Sequence, residues 1–306
     1  MSESISVVIP AYNAGSQLVQ SVEAVLAQDI DTPIEVVIVD DGSTDGCADR
    51  AAESFPSAVV VRTERLGCDG ARQAGMDAAG GGIVANTDAD CVVSPTWLRS
   101  IVDGLSGGAS AVTGPVIHQP DLLTTLVAVT DFGEFQRLRG GQTRNFPGCN
   151  FGIRVESLAS CGYHIRKDLS CGADRLLSWR LSAQGKILYD PQAAVYHYPN
   201  VKAGELLSRR RRYALTAMAM RVYDPSLPGG WLSKLGRLAA PAYCAARFGR
   251  DMRATAEMAA DRRVSPVRIP AVVAGSLVLR LADLTFMLCA KPGETVDYYQ
   301  KQPGSR

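Results

Sequence analysis

The sequence lacks several motifs that identify large classes of protein. None of its eight cysteines forms a CxxC pair or groups with its three histidines at zinc-ligand spacing, which excludes a zinc ribbon and a thioredoxin-like site. It contains neither GxGxxG nor GxxxxGKS/T, so the two common phosphate-binding loops are excluded as well. The N-terminal stretch MSESISVVIPAYN has no basic and apolar signal-peptide regions, so we expect a cytoplasmic protein with free thiols.

Composition indicates a globular chain with an uneven distribution of charge. Its 306 residues, 46% hydrophobic and 21% charged, suffice for one catalytic domain and an appendage. The formal net charge of +1 predicts no nucleic-acid partner. Residues 1–199 contain 14 Lys and Arg against 23 Asp and Glu, net −9, whereas residues 200–306 contain 18 against 8, net +10. We therefore expect the two parts to face different partners.

Apolar runs and amphipathic stretches alternate through the first 115 residues. This alternation predicts an α/β fold with a Rossmann-like, mostly parallel sheet flanked by crossover helices. Because such sheets bind ligands outside the carboxyl ends of their strands, polar residues at those ends are site candidates. Further along, the pattern predicts a loop running into an edge strand at 144–154 and helices near 121–139 and at 173–184, 203–222, 231–260 and 266–290.

The stretch ANTDADCVV places two aspartates, Asp88 and Asp90, after a predicted buried strand. A helix is predicted to follow them, with Ser94 as its N-cap. In extended backbone the two side chains project to the same side, where their charges repel unless a cation intervenes. A divalent metal is the simplest such cation, and a purely structural role of both residues in a turn is the alternative.

Other predicted strands also end in polar or special residues. Strand one ends at Pro10, Ala11 and Tyr12, and strand two ends at Asp40 and Asp41. Neighbouring side chains in extended backbone point to opposite sides. We therefore expect one of the two aspartates to face the crevice and the other to hold the DGSTDG turn.

Six segments occur in the order and spacing typical of one family: VVIPAYNAG (7–15), VVIVDDGSTDG (36–46), GARQAG (70–75), NTDADC (86–91), GCNFGIR (148–154) and GADRLLSWRLSAQGKILYDPQAAVYH (172–197). On these segments the chain resembles glycosyltransferase family 2, whose members have the GT-A fold. The resemblance covers residues 4–200. It implies a catalytic domain at 1–200, with a nucleotide-sugar-binding half (1–115) and an acceptor-binding half (116–200), followed by a helical, basic extension at 201–306.

The resemblance implies metal-dependent, inverting transfer of a sugar from a nucleotide sugar, with UDP-sugar favoured, to a hydroxyl on a glycan, lipid-linked or small-molecule acceptor. Its Mg²⁺ or Mn²⁺ ligands would be Asp88, Asp90 and His197, with Asp88 directed to the metal or the ribose. An imidazole suits Mn²⁺ better than Mg²⁺, and a structural role of His197 is the alternative. The implied donor-binding residues are Pro10, Ala11, Tyr12, Asp40, Asp41, Arg72, Asp88 and Ala89.

The general base implied by the resemblance is Asp174, at the start of a predicted helix whose dipole keeps a carboxylate ionised. The family often has Glu-Asp where this chain has Ala173-Asp174, so a residue that orients the acceptor is missing, and Asp168 is a second candidate base. A non-catalytic sugar-nucleotide-binding protein of the same fold is therefore the competing hypothesis. A nucleotidyltransferase would require a Gly- and Lys-rich loop that AYNAGSQ does not provide.

Two segments of the basic extension, 203–223 and 266–290, are candidates for peripheral contact with the inner face of a membrane. The second contains Arg280 and Asp283, each of which costs about 2.5–3.5 kcal/mol at a bilayer centre, so we expect it not to cross. Their spacing predicts that they pair on one helix face. Burial of this helix against the catalytic domain or a second subunit in a homo-oligomer is the alternative, as is an exposed or phosphate-facing role for the arginines of 209–212.

Overall fold

A computed structural model describes residues 4–160 and 172–290. These residues form two compact units, the first comprising 4–116, 138–160 and 172–198 and the second comprising 117–137 and 199–290. Residues 117–137, which were assigned to the acceptor-binding half, lie in the second compact unit, and the functional division of the chain stays a prediction.

Eleven strands are described within these residues. In chain order they are β1 Ile5–Ala11, β2 Ile34–Asp40, β3 Val59–Arg62, β4 Ile83–Asn86, β5 Cys91–Val93, β6 Ala111–Thr113, β7 Val116–His118, β8 Gly141–Thr143, β9 Phe151–Arg154, β10 Ile187–Tyr189 and β11 Val195–His197. Eight of them form one sheet in the order β3-β2-β1-β4-β9-β6-β10-β8, and β5, β11 and β7 form a smaller one. The predicted mostly parallel sheet is confirmed, since β3, β2, β1 and β4 all pair in parallel.

The helices, in chain order, are α1 Gln17–Leu26, α2 Cys47–Ser54, α3 Gly67–Ala78, α4 Trp97–Ser106, α5 Leu122–Phe132, α6 Val155–Ser160, α7 Ala173–Gln184, α8 Ala203–Tyr223, α9 Ala240–Ala260 and α10 Ile269–Cys289. In the first unit α3 packs closely on the sheet, because a Cβ at Gly75 would lie 2.3 Å from Cγ1 of Val8 in β1. This close approach fixes the position of α3 beside the carboxyl ends of β1 and β2.

Strand β9 is central in the sheet, so the predicted edge strand at this position is wrong. It runs antiparallel between β4 and β6. Phe151 and Ile153 are fully buried, and Gly152 leaves room for Ile101 of α4, whose Cγ2 would lie 2.2 Å from an added Cβ. The edge strands of this sheet are β3 and β8, and β8 is mostly exposed.

The segment after Asp90 also differs from the prediction. It enters strand β5 at once, and α4 begins only at Trp97, with Thr96 rather than Ser94 at the N-cap. Asp88 and Asp90 therefore lie in a turn between two strands and not in extended backbone. Ser94 is used elsewhere, since its hydroxyl donates to the carbonyl of Gln192 at 2.8 Å.

The second unit is helical, as expected for the C-terminal part. Helices α5, α9 and α10 share an apolar core that includes Leu126, Val129, Ala254, Met258 and Val272. Short 3₁₀ helices at Gly133–Phe135, Gly230–Ala239 and Pro266–Arg268 precede or follow the longer helices. The apolar faces of these helices thus bury one another within this unit.

A buried group of charges fixes α10 in the second unit. The predicted pairing on one face is confirmed: Arg280 Nη1 donates to Asp283 Oδ2 at 2.7 Å. Arg280 also donates from Nε to Asp251 Oδ2 of α9 at 2.8 Å and from Nη2 to the carbonyl of Thr130 in α5 at 2.8 Å. A guanidinium that bonds three elements sets their register, since displacing any of them leaves a buried charge unpaired.

Candidate active site

The carboxyl ends of β1, β2 and β4 meet at one edge of the large sheet. The register pairs Ala11 with Asp40 and Asp40 with Arg62, and the backbone N–H of Asp41 donates to the carbonyl of Ala11 at 2.9 Å. The turn after β4 joins this edge, because Thr87 N–H donates to the Val8 carbonyl at 3.2 Å. Polar groups from three separate strands are thereby brought together, as in other open α/β sheets.

Arg72 of α3 lies at the centre of this edge and is nearly fully buried. Its Nη2 donates to Asp88 Oδ1 and its Nη1 to Asp69 Oδ1, both at 2.8 Å. Arg72 is therefore not an exposed arginine on the surface of α3. A guanidinium has no acceptor and stays protonated, so it places a fixed positive charge beside the aspartate turn.

Asp90 and His197 form a close pair on the other side of the turn. Asp90 Oδ2 lies 3.2 Å from His197 Nε2, and the backbone supports this, because β11 pairs antiparallel with β5 and sets His197 opposite Cys91. The Asp90 side chain is 34% exposed and that of His197 only 7%. Burial alone would raise the pKa of Asp90, but the His197 ring holds it below its ordinary value.

This pair fits a divalent cation. Within the described part of the chain, one possible ligand atom from each of Asp90, Cys91 and His197 lies within 4.8 Å of the others. A carboxylate oxygen and an imidazole nitrogen suit Mn²⁺. Cys91 is a poorer ligand, because burial raises the pKa of its thiol well above the ordinary value and metals bind the thiolate.

Asp88 has a different environment from Asp90. Its Oδ1 is engaged by Arg72, and burial raises the pKa of Asp88 even though the arginine opposes this shift. Its backbone carbonyl accepts a hydrogen bond from Ser21 Oγ at 3.2 Å. The two aspartates of the doublet thus differ: Asp88 pairs with a guanidinium and Asp90 with an imidazole.

Asp174 is the second residue of α7. The helix follows Gly172, whose φ of 92° is a left-handed conformation suited to glycine. Its Oδ2 accepts from the backbone N–H of Gly148 at 2.9 Å, and its Oδ1 accepts from that of Arg175 at 2.8 Å. Burial, together with the neighbouring Asp69 carboxylate, raises the pKa of Asp174 to about 6. A carboxylate with this pKa is ionised at pH 7 and is a stronger base than an ordinary aspartate.

Asp69 is a site residue that the sequence did not reveal. It is buried on α3, and its Oδ2 accepts from the backbone N–H of Ala173 at 3.0 Å while its Oδ1 accepts from Arg72. It therefore ties α3 to the start of α7 and places a carboxylate beside Ala173, where the resemblance led us to expect glutamate. The available signal was its position three residues before Arg72 on a predicted helix.

Asp40 and Asp41 are both committed to the protein. Asp40 accepts from Ser43 N–H at 2.9 Å and pairs with Arg62 at 2.7 Å, whereas Asp41 accepts from Leu66 N–H at 2.6 Å and Gly67 N–H at 2.8 Å. Asp41 thereby holds the first turn of α3, and Asp40 holds the DGSTDG turn. Whether they also contact a donor stays a prediction.

An exposed aromatic side chain lies beside these turns. Tyr12 is 44% exposed, and the Arg65 guanidinium lies over its ring, 3.7 Å from the centroid. Pro10 and Ala11 are the last residues of β1 and are buried, and Ala89 lies between the two aspartates of the turn, also buried. Asp168, the second candidate base, lies outside the described residues.

The charges of the site do not balance. Among the residues that the structure describes, Asp69, Asp88, Asp90 and Asp174 lie around the guanidinium of Arg72 and the imidazole of His197. These four carboxylates outnumber the fixed positive charge of Arg72, and an excess of carboxylates favours an added cation over a bare anionic ligand.

Comparison with known proteins shows similarity to glycosyltransferases. The family model described as glycosyl transferase family 2 matches residues 6–162, which is 157 of the 306 residues. The glycosyltransferase AglE of Haloferax volcanii is 28% identical over 217 residues, covering 68% of this chain and 71% of AglE. Matches to four other curated proteins span only 29–37% of their length.

Two solved structures share the fold. The mannosyltransferase PcManGT from Pyrobaculum calidifontis, in complex with GDP-Man and Mn²⁺, has a TM-score of 0.60 and 22% identity, covering 95% of this chain and 89% of that one. GalNAc-T7 with UDP, GalNAc and Mn²⁺ has a TM-score of 0.54 and 20% identity, covering 78% of this chain and 54% of that one. The predicted GT-A fold is confirmed by these likenesses.

Proposed function

The chain belongs to glycosyltransferase family 2, and from that membership we propose that it transfers a sugar from a nucleoside-diphosphate donor to a hydroxyl acceptor, with inversion at the anomeric carbon. A hexosyl group on UDP is the favoured donor, and GDP is the alternative because PcManGT was solved with GDP-Man. The observation that carries the proposal is the close Asp90–His197 pair beside the pair that the buried Arg72 forms with Asp88.

The proposal assigns these two pairs to the diphosphate. Asp90 and His197 would hold Mg²⁺ or Mn²⁺, with Mn²⁺ favoured by the imidazole, and the bound ion would neutralise charge on the departing diphosphate. Arg72 contributes a positive charge that cannot be lost at any working pH. Asp88 holds this guanidinium in place and is the residue assigned to the ribose, since its environment is the arginine rather than the imidazole.

The nucleoside is assigned to the edge formed by Pro10, Ala11, Tyr12, Asp40 and Ala89. Tyr12 and Arg65 already stack on each other and offer an exposed planar surface to a base. Asp40 retains unused acceptor capacity beside its two present bonds, which suits a ribose hydroxyl or a base N–H. Asp41 supports the site indirectly, by holding the start of α3, from which Arg72 projects.

Asp174 is assigned as the general base that accepts the proton of the acceptor hydroxyl. Two backbone N–H groups orient its carboxylate, and a pKa of about 6 keeps it ionised yet basic at pH 7. Asp69 acts through Asp174 as a positioning residue: it fixes the first turn of α7 through Ala173 and adds a neighbouring negative charge. Loss of the family glutamate at Ala173 is thus offset by a carboxylate from α3.

The acceptor is proposed to be a glycan, a lipid-linked molecule or a small molecule of secondary metabolism, used on the cytoplasmic side of the membrane. One curated relative, 29% identical over 172 residues, is an undecaprenyl-phosphate 4-deoxy-4-formamido-L-arabinose transferase of Pectobacterium carotovorum, which supports the lipid-linked class. The competing function is donor binding without transfer, favoured by Ala173 in place of the family glutamate. The retained Asp174 and the Asp69 carboxylate beside Ala173 favour catalysis.

Donor turnover tests the proposal. Purified protein is incubated with UDP-, GDP- and TDP-sugars and Mn²⁺ or Mg²⁺, and release of nucleoside diphosphate is measured. We expect slow, saturable hydrolysis of one donor, lost in Asp90→Ala and kept in Asp103→Ala, a matched change of an exposed carboxylate on α4. Saturable donor binding without hydrolysis or transfer under any condition would support the binding-only function, and no donor binding at all would refute both.

A further inference from the structure

Helix α10 buries both of its charged residues and exposes several of its large apolar residues. Its two charged side chains, Arg280 and Asp283, are 2% and 1% exposed. On the opposite face Leu277, Val278 and Leu281 are 45%, 59% and 53% exposed. A surface helix of a water-soluble protein has the reverse distribution, so water is not the environment for which this face is built.

The outward face of α10 is continuous and has almost no polar group that needs a hydrogen bond from water. Its exposed residues recur at helical spacing and form one stripe along the helix. They are Pro270, Ala271, Ala274, Leu277, Val278, Leu281, Thr285, Leu288 and Cys289. The polar member, Thr285, donates its hydroxyl to the carbonyl of Leu281 at 2.9 Å and so satisfies itself within the helix.

The 3₁₀ segment Gly230–Ala239 extends this surface. Trp231 and Leu238 are 66% and 81% exposed, and Arg237 Nη1 donates to the carbonyl of Leu288 at 3.1 Å, which joins the segment to the end of α10. Lys234 and Arg237 are both exposed. An exposed tryptophan with lysine and arginine at the margin of an apolar surface is the composition of a membrane–water interface.

The face cannot turn inward to hide its leucines. Arg280 is bonded to Asp251, Asp283 and the Thr130 carbonyl, and Met287 and Val272 are buried on the same inner side. Rotating α10 would expose this core and break a buried charge cluster. The outward stripe is therefore a fixed surface of the folded unit.

We propose that the stripe of α10 and the segment Gly230–Ala239, together called the apolar face, dock on the surface of an anionic lipid bilayer, with α10 lying in the plane of the interface. Charge complementarity selects this occupant, because residues 200–306 carry a net charge of +10. A second copy docked through the same face would set its Lys234 and Arg237 against those of the first, which disfavours that occupant. This inference does not depend on the proposed sugar transfer.

The packing of α8 makes α10, rather than α8, the candidate for membrane contact. In α8, Leu206, Leu215 and Arg210 are buried within the second unit, so this helix presents no apolar stripe flanked by its arginines. Length and composition single out Pro266–Cys289 as the one stretch among the described residues that could cross a membrane, with a third of it buried. Since its inner face packs on α5, α8 and α9 through paired charges, the proposal places it on the bilayer and not across it.

Co-sedimentation of the full chain with vesicles tests the proposal. The vesicles are phosphatidylcholine alone, or equal parts phosphatidylcholine and phosphatidylglycerol, at low and high salt. Leu281→Glu places a charge on the stripe, and Leu207→Glu makes the same change at a leucine of α8 with similar exposure, 48%. We expect salt-sensitive binding to the anionic vesicles, at least about tenfold weaker in Leu281→Glu and unchanged in Leu207→Glu.

Tryptophan emission gives a second measurement. Trp231 should shift to shorter wavelength when anionic vesicles are added, and Trp231→Phe should abolish this shift, since the other two tryptophans, the buried Trp97 and the partly buried Trp179, belong to the first unit and not to the apolar face. Circular dichroism confirms that each variant is folded. Absence of vesicle binding, equal loss in Leu207→Glu, full binding by Leu281→Glu, or a dimer that Leu281→Glu dissociates while vesicles are ignored would each overturn the proposal.

Discussion

The charged cluster of the active site and that of the second unit are built from the same residue types but differ in balance and exposure. In the second unit Arg209, Arg210 and Arg280 pair with Asp131, Asp251 and Asp283, and Arg247 adds a fourth guanidinium beside Asp131 and Asp283, so every aspartate of this cluster has an arginine partner. At the candidate active site the described residues place four aspartates around one arginine and one histidine, and the Asp88 and Asp90 side chains remain 26% and 34% exposed.

The difference separates a structural cluster from a binding site. A closed cluster in which every aspartate already has an arginine partner gains nothing from an added cation, and its role is to fix the register of α5, α8, α9 and α10. An open cluster with excess carboxylates has unused acceptor capacity for a cation. Within this cluster, burial of Asp174 and the nearby Asp69 carboxylate raise the pKa of Asp174 to about 6. The same chemistry therefore supports folding in one unit and ligand chemistry in the other.

Removing a carboxylate from the open cluster should affect turnover and not folding. Asp90→Ala takes away half of the Asp90–His197 pair, and we expect donor turnover to fall by about a thousandfold or more, because metal stabilisation of a leaving group is worth several kcal/mol. Nucleoside-diphosphate release measures this, with Asp103→Ala as control. A variant that keeps more than about a tenth of the wild-type rate would remove Asp90 from the site.

Asp174→Asn should separate binding from transfer. The amide keeps the shape of the side chain but cannot accept the acceptor proton, so we expect transfer to fall by about 10²–10⁴-fold while donor affinity stays within about threefold. Calorimetric donor titration and acceptor-dependent transfer are the paired measurements. Near-normal transfer by the variant would mean that another group, such as Asp168, is the base.

Removing a charge from the closed cluster should do the opposite. Arg280→Met leaves Asp251 and Asp283 buried without their main partner, so we expect the second unit to lose about 3–5 kcal/mol of stability in urea unfolding. Arg253→Met, at an exposed position of α9, is the control and should change stability by less than about 0.5 kcal/mol. A stable Arg280→Met protein with impaired donor turnover would mean that the closed cluster has a functional role and not a stabilising one.

Asp69→Asn should give the smallest effect on transfer, and it tests how the Asp69 charge affects the pKa of Asp174. With the Asp69 charge removed, the ionised form of Asp174 is less disfavoured, so its pKa falls and transfer persists to lower pH. We expect the acid limb of the pH–rate profile to move down by up to about one unit, with Asp103→Asn leaving it in place. A limb that stays near pH 6, or moves up, would mean that Asp69 is only a structural link between α3 and α7.

The sequence predicted what depends on local pattern. Buried runs located the strand ends, and the spacing of Arg280 and Asp283 predicted their pairing. It did not predict β9 in the centre of the sheet, because antiparallel insertion between β4 and β6 is a long-range pairing. Nor did it place 117–137 in the second unit, since the apolar faces of α5 do not reveal their partners.

For the site, the sequence predicted the residue types but not all their contacts. The aspartate doublet and His197 were predicted from motif order, and the structure brings Asp90 and His197 together across 107 residues. Asp69 was missed because an acidic residue in the first turn of a helix ordinarily serves the helix dipole. Only the approach of α7 to α3 reveals that its carboxylate bonds Ala173.

The most direct test is metal dependence of donor turnover together with metal binding. Enzyme freed of metal with EDTA is supplied with its preferred nucleotide sugar, and nucleoside-diphosphate release is followed as Mn²⁺ or Mg²⁺ is restored, while electron paramagnetic resonance measures Mn²⁺ bound to the wild type and to Asp90→Ala. The account predicts that release stops on chelation, returns on addition of metal, and that Asp90→Ala binds Mn²⁺ poorly. Release at the full rate in the chelated enzyme would contradict it.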